Sequence, residues 1–212
     1  MTDFTGRHVV ITGGDGALGT AVVAAFVDAG ATCHLPLHRD VDLTNESEVE
    51  RYYATLPGLF ASIHLAGGYR AKHFVETSRA DMELMLGLNL ATTFFCCREA
   101  VKRMKLSGGG RIVNVAARVV EVPIGGAVAY SVSKAGVAGL TRSLAVEVRP
   151  DGILVNAVLP SIIDTPANRA AMPKADYDKW PKPEEIARAI LWLASPENTL
   201  TSGALVPVYG KA

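Results

Sequence analysis

The stretch Val9-Val10-Ile11-Thr12-Gly13-Gly14-Asp15-Gly16-Ala17-Leu18-Gly19 decides the fold. An apolar, β-branched run ends in a cluster of glycines, and an Ala- and Val-rich stretch continues to Ala29. This pattern predicts a strand, a tight turn and a helix. Glycines let a backbone approach a phosphate closely, and a helix N-terminus offers free N–H groups to an anion. Because the turn joins a predicted strand to a predicted helix, dinucleotide binding is favoured over a plain glycine-rich turn.

The rest of the chain alternates apolar strand-like runs with helical patterns. The predicted strands are 9–12, 32–37, 61–66, 110–115, 153–158 and 204–208, and the predicted helices are 17–29, 46–56, 79–105, 127–147 and 183–194. Strands without polar alternation predict a parallel sheet that is covered on both faces. With 212 residues, of which 49% are hydrophobic, we expect one doubly wound α/β domain over residues 1–212.

Composition excludes several classes of partner. The net charge is zero and basic runs are short, which argues against nucleic acid or an anionic membrane. The longest apolar region, 82–97, contains Glu83 and Asn89 and is too short to span a bilayer. The three cysteines lack C-x-x-C spacing and indicate reduced thiols rather than a metal site. Since the N-terminus lacks the pattern of a signal peptide, we expect a cytoplasmic protein.

The run Tyr130-Ser131-Val132-Ser133-Lys134 carries the candidate chemistry. A Tyr four residues before a Lys on a helix places both side chains on one face. A neighbouring ammonium favours the phenolate, so we expect the pKa of Tyr130 to lie below about 10. Such a phenol suits proton transfer during reduction of a carbonyl or imine. The spacing arises by chance in many helices and, taken alone, is far more typical of a surface Tyr and Lys, so it needs the support of other motifs.

Taken together, the motifs resemble the short-chain dehydrogenase/reductase family. They occur in the family's order and approximate spacing: Thr12-Gly13, Leu65-Ala66-Gly67-Gly68, Asn89, Tyr130 with Lys134, and 159–166. Within the family the chain looks most like the dihydropteridine reductases, by its Gly-Ala-Leu-Gly turn, by Tyr69 after the glycine pair and by 159–180. The resemblance implies a Rossmann-type fold and an NAD(P)-dependent oxidoreductase.

One edge of the sheet departs from the family's pattern. Leu35-Pro36-Leu37-His38-Arg39 runs almost directly into Asp40-Val41-Asp42-Leu43-Thr44, where the family normally places a helix. Parallel neighbours need a crossover of about a dozen residues, and only a few are available. We therefore predict that this crossover helix is absent and that the third strand is missing or vestigial.

The resemblance also implies which residues bind the cofactor. Gly13 and Gly19 match the family's phosphate-turn glycines, whereas Ala17 replaces the middle one, with Gly16 just before it. The implied contacts are Asp15, Gly16, Ala17 and Leu18 at the pyrophosphate, Asp42 and Leu43 at the adenine, Ala66, Gly67 and Gly68 at the adenosine ribose, Lys134 at a ribose with Tyr130 beside it, and Pro160, Ile163 and Thr165 near the nicotinamide.

The choice between NAD and NADP depends on the end of the second strand. An acid there binds the ribose 2′-hydroxyl, whereas an Arg receives the 2′-phosphate. The position falls near Leu37, and His38 and Arg39 follow. This favours NADP, although nearby Asp40 weakens the argument and a simply solvated Arg39 is an equal alternative.

A catalytic residue of the family is missing. The family usually carries a Ser thirteen residues before the Tyr, and here that position is Ala117, between Ala116 and Arg118. Loss of one hydrogen bond to a developing oxyanion costs about 3 kcal/mol, or roughly a hundredfold in rate. Dihydropteridine reductase likewise lacks this Ser and reduces an activated quinonoid substrate. We therefore expect a small, activated substrate, with Tyr130 as proton donor and Lys134 as its assistant.

Other site residues have ordinary alternatives. By resemblance, Asn89 continues a proton relay to the Lys, but an Asn within a helix is also often a satisfied interior amide. Its surroundings follow the general family pattern more than that of the pterin reductases. Tyr69 and Trp180 are candidates to stack on a flat substrate, with ordinary packing as the alternative. Arg118 is a candidate contact for an anionic or carbonyl substrate.

Two functions follow from these expectations. The first is a reductase that associates as a homodimer or homotetramer through its two long helices, as the family commonly does. The second is a nucleotide-binding sensor or scaffold that no longer turns over, because the Ser is lost. Retention of both Tyr130 and Lys134 favours the reductase, since binding alone does not require an acid at that place.

Overall fold

The computed structural model describes residues 2–211 and contains a six-stranded, fully parallel sheet of order β2-β1-β3-β4-β5-β6. The strands are β1 His8–Thr12, β2 Thr32–His34, β3 Ala61–His64, β4 Gly110–Val115, β5 Ile153–Pro160 and β6 Leu205–Val208. The α-helices are α1 Ala17–Asp28, α2 Glu46–Ala54, α3 Arg79–Met85, α4 Thr92–Leu106, α5 Val128–Glu147, α6 Pro166–Ala171 and α7 Pro183–Leu193. The strand order reverses beside β1, and in such sheets ligands bind at the carboxyl ends near this reversal.

Helices cover both faces of the sheet, as the apolar strands require. On one face α2, α4 and α5 bury side chains such as Tyr53, Met104 and Ala145 against the strands. On the other face α1 and α7 contribute Phe26 and Ile190. The prediction of a doubly wound α/β fold with a parallel sheet is confirmed.

The trimmed edge is also confirmed. Strand β2 is the edge strand beside β1, and it has only three residues. Within the described part of the chain, residues 35–45 form neither a helix nor a strand before α2 begins. The sequence prediction of a strand to Leu37 was too long, because Pro36 has no N–H to donate to a sheet ladder.

The long helix predicted at 79–105 is interrupted. A π-helical segment, Leu86–Ala91, separates α3 from α4 and contains Asn89. Such segments are rare and occur frequently at functional sites. The continuous run Arg79–Leu106 is long and apolar enough to cross a membrane by length and composition. In this fold it packs against α2, α5 and the sheet, as a core helix does.

Helix α5, which carries the Tyr and the Lys, is tied to the sheet by a buried polar chain. Asn114 of β4 donates to the Thr141 hydroxyl at 2.9 Å, and Thr141 in turn donates to the Val137 carbonyl. The other amide atom of Asn114 lies 2.8 Å from a nitrogen of His64. Burial lowers the pKa of His64 to about 4, so this chain is neutral and fixes α5 without a buried charge.

Candidate active site

The glycine turn leaves a cradle that fits a phosphate. Gly13 has a φ of +65°, and a Cβ at Gly19 would stand 2.0 Å from the Gly13 carbonyl oxygen. Helix α1 begins after Gly16, and its first N–H groups receive no side-chain cap. Free N–H groups at a helix N-terminus bind anions. The turn therefore fits the pyrophosphate of a dinucleotide.

The residues at the tip of the turn face solvent. Asp15, Gly16 and Ala17 are exposed, and Leu18 is half-buried. The methyl group of Ala17 lies on the first helical residue and obstructs nothing, so replacement of the family's glycine is accommodated. Asp15 places a negative charge beside the cradle, which disfavours an anionic ligand by Coulomb repulsion.

The adenine side of the expected cofactor site is assembled after β2. Leu43 is buried in the core, and the Asp42 carboxylate accepts hydrogen bonds from the Thr44 N–H and hydroxyl at 2.9 and 2.7 Å. These bonds lower the pKa of Asp42 and hold it ionised. His38 and Arg39 lie on the exposed loop, where the Arg39 guanidinium is 3.6 Å from the Asp40 carboxylate. Asp40 thus competes for Arg39, as the sequence suggested.

The glycine turn and the Ala66-Gly67-Gly68 segment are fastened together. The Thr12 hydroxyl accepts hydrogen bonds from the N–H groups of Leu65 and Ala66, both at 3.1 Å. A Cβ at Gly13 would approach the Ala66 backbone to 3.0 Å. The two segments proposed to contact the same cofactor therefore form one rigid wall.

Asn89 connects this wall to α5. Its Oδ1 accepts from the Gly68 N–H, and its Nδ2 donates to the Gly68 carbonyl and to the Ser133 hydroxyl, at 3.0–3.1 Å. Ser133 donates to the Tyr130 carbonyl at 2.7 Å. A Cβ at Gly67 would stand 2.5 Å from Asn89 Oδ1, so this close approach requires glycine. The side chain of Asn89 is a fully satisfied interior amide, and Ser133, which sequence reasoning did not single out, completes the connection.

Tyr130 and Lys134 lie on α5, at the carboxyl ends of β3 and β4. Lys134 is buried, and its Nζ donates to the carbonyl of Val115, the last residue of β4, at 2.8 Å. The same Nζ is 3.5 Å from the position of a Cβ on Gly67. Among residues 2–211 the Tyr130 hydroxyl has no hydrogen-bond partner, so its proton is available for a ligand.

The expected lowering of the Tyr130 pKa is wrong for this structure. Burial, and secondly the neighbouring Tyr69, raise the pKa of Tyr130 to about 12. Burial lowers the pKa of Lys134 to about 8. Spacing on a helix predicted proximity, but it could not predict that the ammonium would donate to Val115, that Lys134 would be buried and that Tyr130 would be partly buried.

The Tyr69 ring packs against Tyr130. The contact is edge-on, at 4.9 Å between ring centroids, although 61% of Tyr69 is exposed. The segment that follows, Tyr69–Lys72, is tied down beside α5, because the Lys72 N–H donates to the Gly126 carbonyl at 2.7 Å. We refer to residues 69–72 as the strap. The strap therefore lies beside Tyr130 through the Tyr69 ring.

The strap is held by a carboxylate on α3. Asp81 is 2.8 Å from Lys72 Nζ and 3.1 Å from Arg70 Nη1, and it also accepts from Ser78. Lys72 and then Ser78 hold the pKa of Asp81 well below its usual range. Lys72 and Asp81 are nine residues apart in the sequence, and the fold brings their side chains together.

The residue at the family's Ser position is a small apolar one. Ala117 is buried just beyond β4, and no hydroxyl stands there. Arg118 begins the short turn Arg118–Val120, and its guanidinium carbon lies 5.2 Å from the centroid of the Tyr209 ring. The gap seen in the sequence is therefore a feature of the site.

The loop after β5 has its polar atoms engaged locally. The Thr165 hydroxyl caps α6 by accepting from the Asn168 N–H, and the Ile163 carbonyl accepts from Asn168 Nδ2. Pro160 ends β5. Trp180 packs against Tyr177 and lines a cavity of about 610 Å³ shared with Asp164, Arg169, Tyr177, Lys182 and Glu185. No contact of Trp180 with Tyr130 exists in the described chain, which favours ordinary packing for this tryptophan.

Comparison with known proteins shows the family to which the chain belongs. A family model described as enoyl-(acyl carrier protein) reductase matches residues 4–210. A short-chain type dehydrogenase/reductase of Picea abies is 31% identical over 184 residues, covering 80% of this chain and 68% of the relative. The chain belongs to the short-chain dehydrogenase/reductase family.

Other members of the short-chain family extend the comparison. The 3-oxoacyl-(acyl-carrier-protein) reductase FabG of Aquifex aeolicus is 32% identical over 218 residues, covering 97% of this chain and 87% of that protein. A solved structure of a Tyr-to-Phe variant of ElxO with NADPH bound superposes with a TM-score of 0.89 at 23% identity, covering 99% of this chain and 98% of that one. The fold is therefore that of a short-chain oxidoreductase along the described chain.

Proposed function

We propose that this protein is an NAD(P)H-dependent reductase of a small, activated substrate, with Tyr130 as proton donor. The observation that carries the proposal is the convergence of the phosphate cradle, the buried Lys134 and the unpartnered Tyr130 hydroxyl at one edge of the sheet. Membership of the short-chain oxidoreductases supports nicotinamide chemistry.

Separate groups of residues would bind the cofactor and supply the proton. The glycine turn and Ala66-Gly67-Gly68 would hold the dinucleotide, which supplies the hydride when bound. Tyr130 then gives its proton to the oxygen or nitrogen that gains the negative charge. With a pKa of about 12, Tyr130 is protonated throughout the physiological range, which suits the donor in a reduction. Lys134, which donates to the Val115 carbonyl, would hold a ribose of the dinucleotide, as the resemblance implies.

The nature of the substrate follows from Ala117. Without a hydroxyl beside the reacting carbon, an ordinary ketone lacks one hydrogen bond in the transition state. A quinonoid ring, an imine or a ketone beside an electron-withdrawing group needs less help. The resemblance to the dihydropteridine reductases supports a pterin-like ring, and relatives that carry the name 3-oxoacyl-(acyl-carrier-protein) reductase support a 3-oxoacyl thioester.

We favour NADP as the cofactor. No acid stands at the end of β2, where it would bind the ribose 2′-hydroxyl, and Arg39 is exposed close by. The NADPH-bound neighbour of the same fold agrees with this preference.

The proposal includes assembly and location. Val132 and Val146 on α5 and Phe94 on α4 are exposed apolar side chains, and their burial between copies supports a homodimer or homotetramer. We propose a cytoplasmic enzyme with a small-molecule substrate.

Oxidation of NADPH, followed at 340 nm, tests the function. The panel contains quinonoid dihydropteridine, quinones, diketones and a 3-oxoacyl thioester, and the parent protein is compared with Tyr130→Phe. We expect activity on at least one activated substrate and a loss of about 10²- to 10⁴-fold in kcat in the variant, because the acid is removed. Tyr130→Phe keeps the ring, so cofactor affinity, measured by fluorescence titration, should fall far less than kcat.

A nucleotide-binding sensor is the second candidate, favoured by the absent hydroxyl at Ala117. It predicts that both proteins bind the cofactor and that neither turns over any substrate of the panel. Equal rates for the parent and Tyr130→Phe would likewise contradict a role for the phenol.

A further inference from the structure

The Arg118 guanidinium lacks a hydrogen-bond partner for one of its buried donors. Its Nε is buried and has no hydrogen-bond partner. Within residues 2–211 its guanidinium forms no ion pair, and the Tyr209 ring at 5.2 Å is its notable contact. A partly buried cation normally has an anionic or hydrogen-bonding partner, and a cation–π contact replaces only part of its hydration.

Arg118 lies at the carboxyl end of β4, at the same end of the sheet as Lys134 and the glycine turn. It follows Ala117 at the carboxyl end of β4, and Tyr209 follows Val208 at the carboxyl end of β6. Since β5 lies between these strands, the arginine side chain passes the end of β5. There Ser161 donates to the Tyr209 carbonyl at 2.8 Å. Ligands of parallel α/β sheets bind at these carboxyl ends.

Tyr209 adds a second unfinished contact. Its hydroxyl is also buried without a hydrogen-bond partner. Arg118 Nε and the Tyr209 hydroxyl are thus two buried donors without a hydrogen-bond partner, on side chains that contact each other. A guanidinium presents parallel N–H groups whose spacing matches the two oxygens of a carboxylate. A carboxylate is the ligand that would satisfy this arrangement.

We propose that Arg118 binds a carboxylate carried by the substrate next to the carbonyl that is reduced, so that the substrate class is the 2-oxo acids. This inference rests on the proposed reductase function. Arg118 directly follows Ala117 at the carboxyl end of β4, so a carboxylate bound by its guanidinium would lie on the side of the site where the family's Ser hydroxyl stands. Anchoring that carboxylate would orient the ketone toward Tyr130 and replace the positioning that the family obtains from a Ser hydroxyl.

The reaction balances without a further reactant. Hydride from NAD(P)H forms the new C–H bond at the ketone carbon, and the π electrons of the C=O bond move to the oxygen. Tyr130 gives that oxygen a proton, so the product is a 2-hydroxy acid and the cofactor leaves as NAD(P)⁺. The carboxylate is unchanged throughout.

A matched pair of substrates tests the inference. Phenylglyoxylate carries the carboxylate, and its methyl ester presents the same ketone without the charge. In the parent we expect kcat/KM to be higher for the acid. In Arg118→Gln we expect the value for the acid to fall about 10- to 100-fold, the usual range for a charge-assisted hydrogen bond, while the ester changes about twofold at most.

Two further variants separate charge and position. Arg118→Lys keeps the charge but loses the planar fork, so we expect an intermediate preference for the acid. Arg188→Gln removes an exposed cation on α7 and should leave both substrates unchanged. An unaltered ratio of acid to ester in Arg118→Gln, in a protein of normal thermal stability, overturns the inference.

A binding measurement separates this inference from the proposed function. Calorimetric titration of the NADPH-loaded protein with benzoate and benzamide needs no turnover. We expect benzoate to bind more tightly than benzamide, and this difference to disappear in Arg118→Gln. If this difference is found but neither the glyoxylates nor any substrate of the earlier panel is reduced, the carboxylate site stands and the reductase function fails. If reduction proceeds with no dependence on Arg118, the reductase stands and the carboxylate site fails.

Discussion

At the scale of single residues, the site combines a retained acid with a missing hydroxyl. Sequence spacing predicted that Tyr130 and Lys134 lie on one face, and it located the gap at Ala117. It could not predict the protonation behaviour of the pair, because the pKa values depend on burial and on Tyr69, which is distant in sequence. Likewise, no local pattern shows that Arg118 lies over Tyr209.

Restoring the hydroxyl should broaden the range of substrates. In Ala117→Ser we expect activity on plain ketones to rise by about 10- to 100-fold, because the developing oxyanion gains a hydrogen bond. Activated substrates should change little, since they depend less on that bond. Steady-state rates with cyclohexanone and with a quinone measure the two effects. Absence of a gain on any ketone would show that Ala117 does not face the reacting carbon.

At the scale of elements, predictions were best where one pattern was long and uninterrupted. The alternation of apolar runs and helices located every strand of the sheet, and counting residues after Arg39 revealed the trimmed edge. The π-helical segment around Asn89 was missed because its side-chain periodicity differs little from that of an α-helix. The segment contains Asn89, whose side chain binds both Gly68 and Ser133, and neither contact is local in sequence.

The loop after β2 should determine the cofactor. In Arg39→Gln we expect the dissociation constant for NADPH to rise about tenfold, because an exposed cation that binds the 2′-phosphate is lost, while that for NADH stays the same. Fluorescence titration with both nucleotides gives the two constants. Asp40→Asn serves as the partner control and should tighten NADPH binding, because it releases Arg39. Equal weakening of both nucleotides would place Arg39 outside the 2′-phosphate site.

At the scale of the whole molecule, the burial of Lys134 lowers the stability of the fold. Lys134 is buried and pairs with a backbone carbonyl rather than with an acid, so the folded state disfavours its charged form. Its pKa is about 8 in the folded protein against 10.5 for an unperturbed lysine. Below pH 8 both states bind the proton and the full penalty is present. Between pH 8 and 10.5 the unfolded state binds more protons, so stability from this residue rises with pH.

This linkage can be measured directly. The shift corresponds to about 3 kcal/mol. In urea unfolding between pH 7 and 10, the free energy of unfolding of the parent should therefore rise relative to that of Lys134→Met. The difference removes the contributions of other titrating groups. A difference that stays constant over this range would contradict the burial of a charged Lys134.

The contacts of Asp81 with Arg70 and Lys72 of the strap determine how this segment responds to pH and to salt. Because Lys72 and Ser78 hold the pKa of this carboxyl so low, acidification within the physiological range leaves its charge intact. Arg70 and Lys72 are nevertheless about half exposed, so dissolved salt weakens both ion pairs. The attachment of the strap to α3 is thus sensitive to ionic strength and indifferent to mild acid.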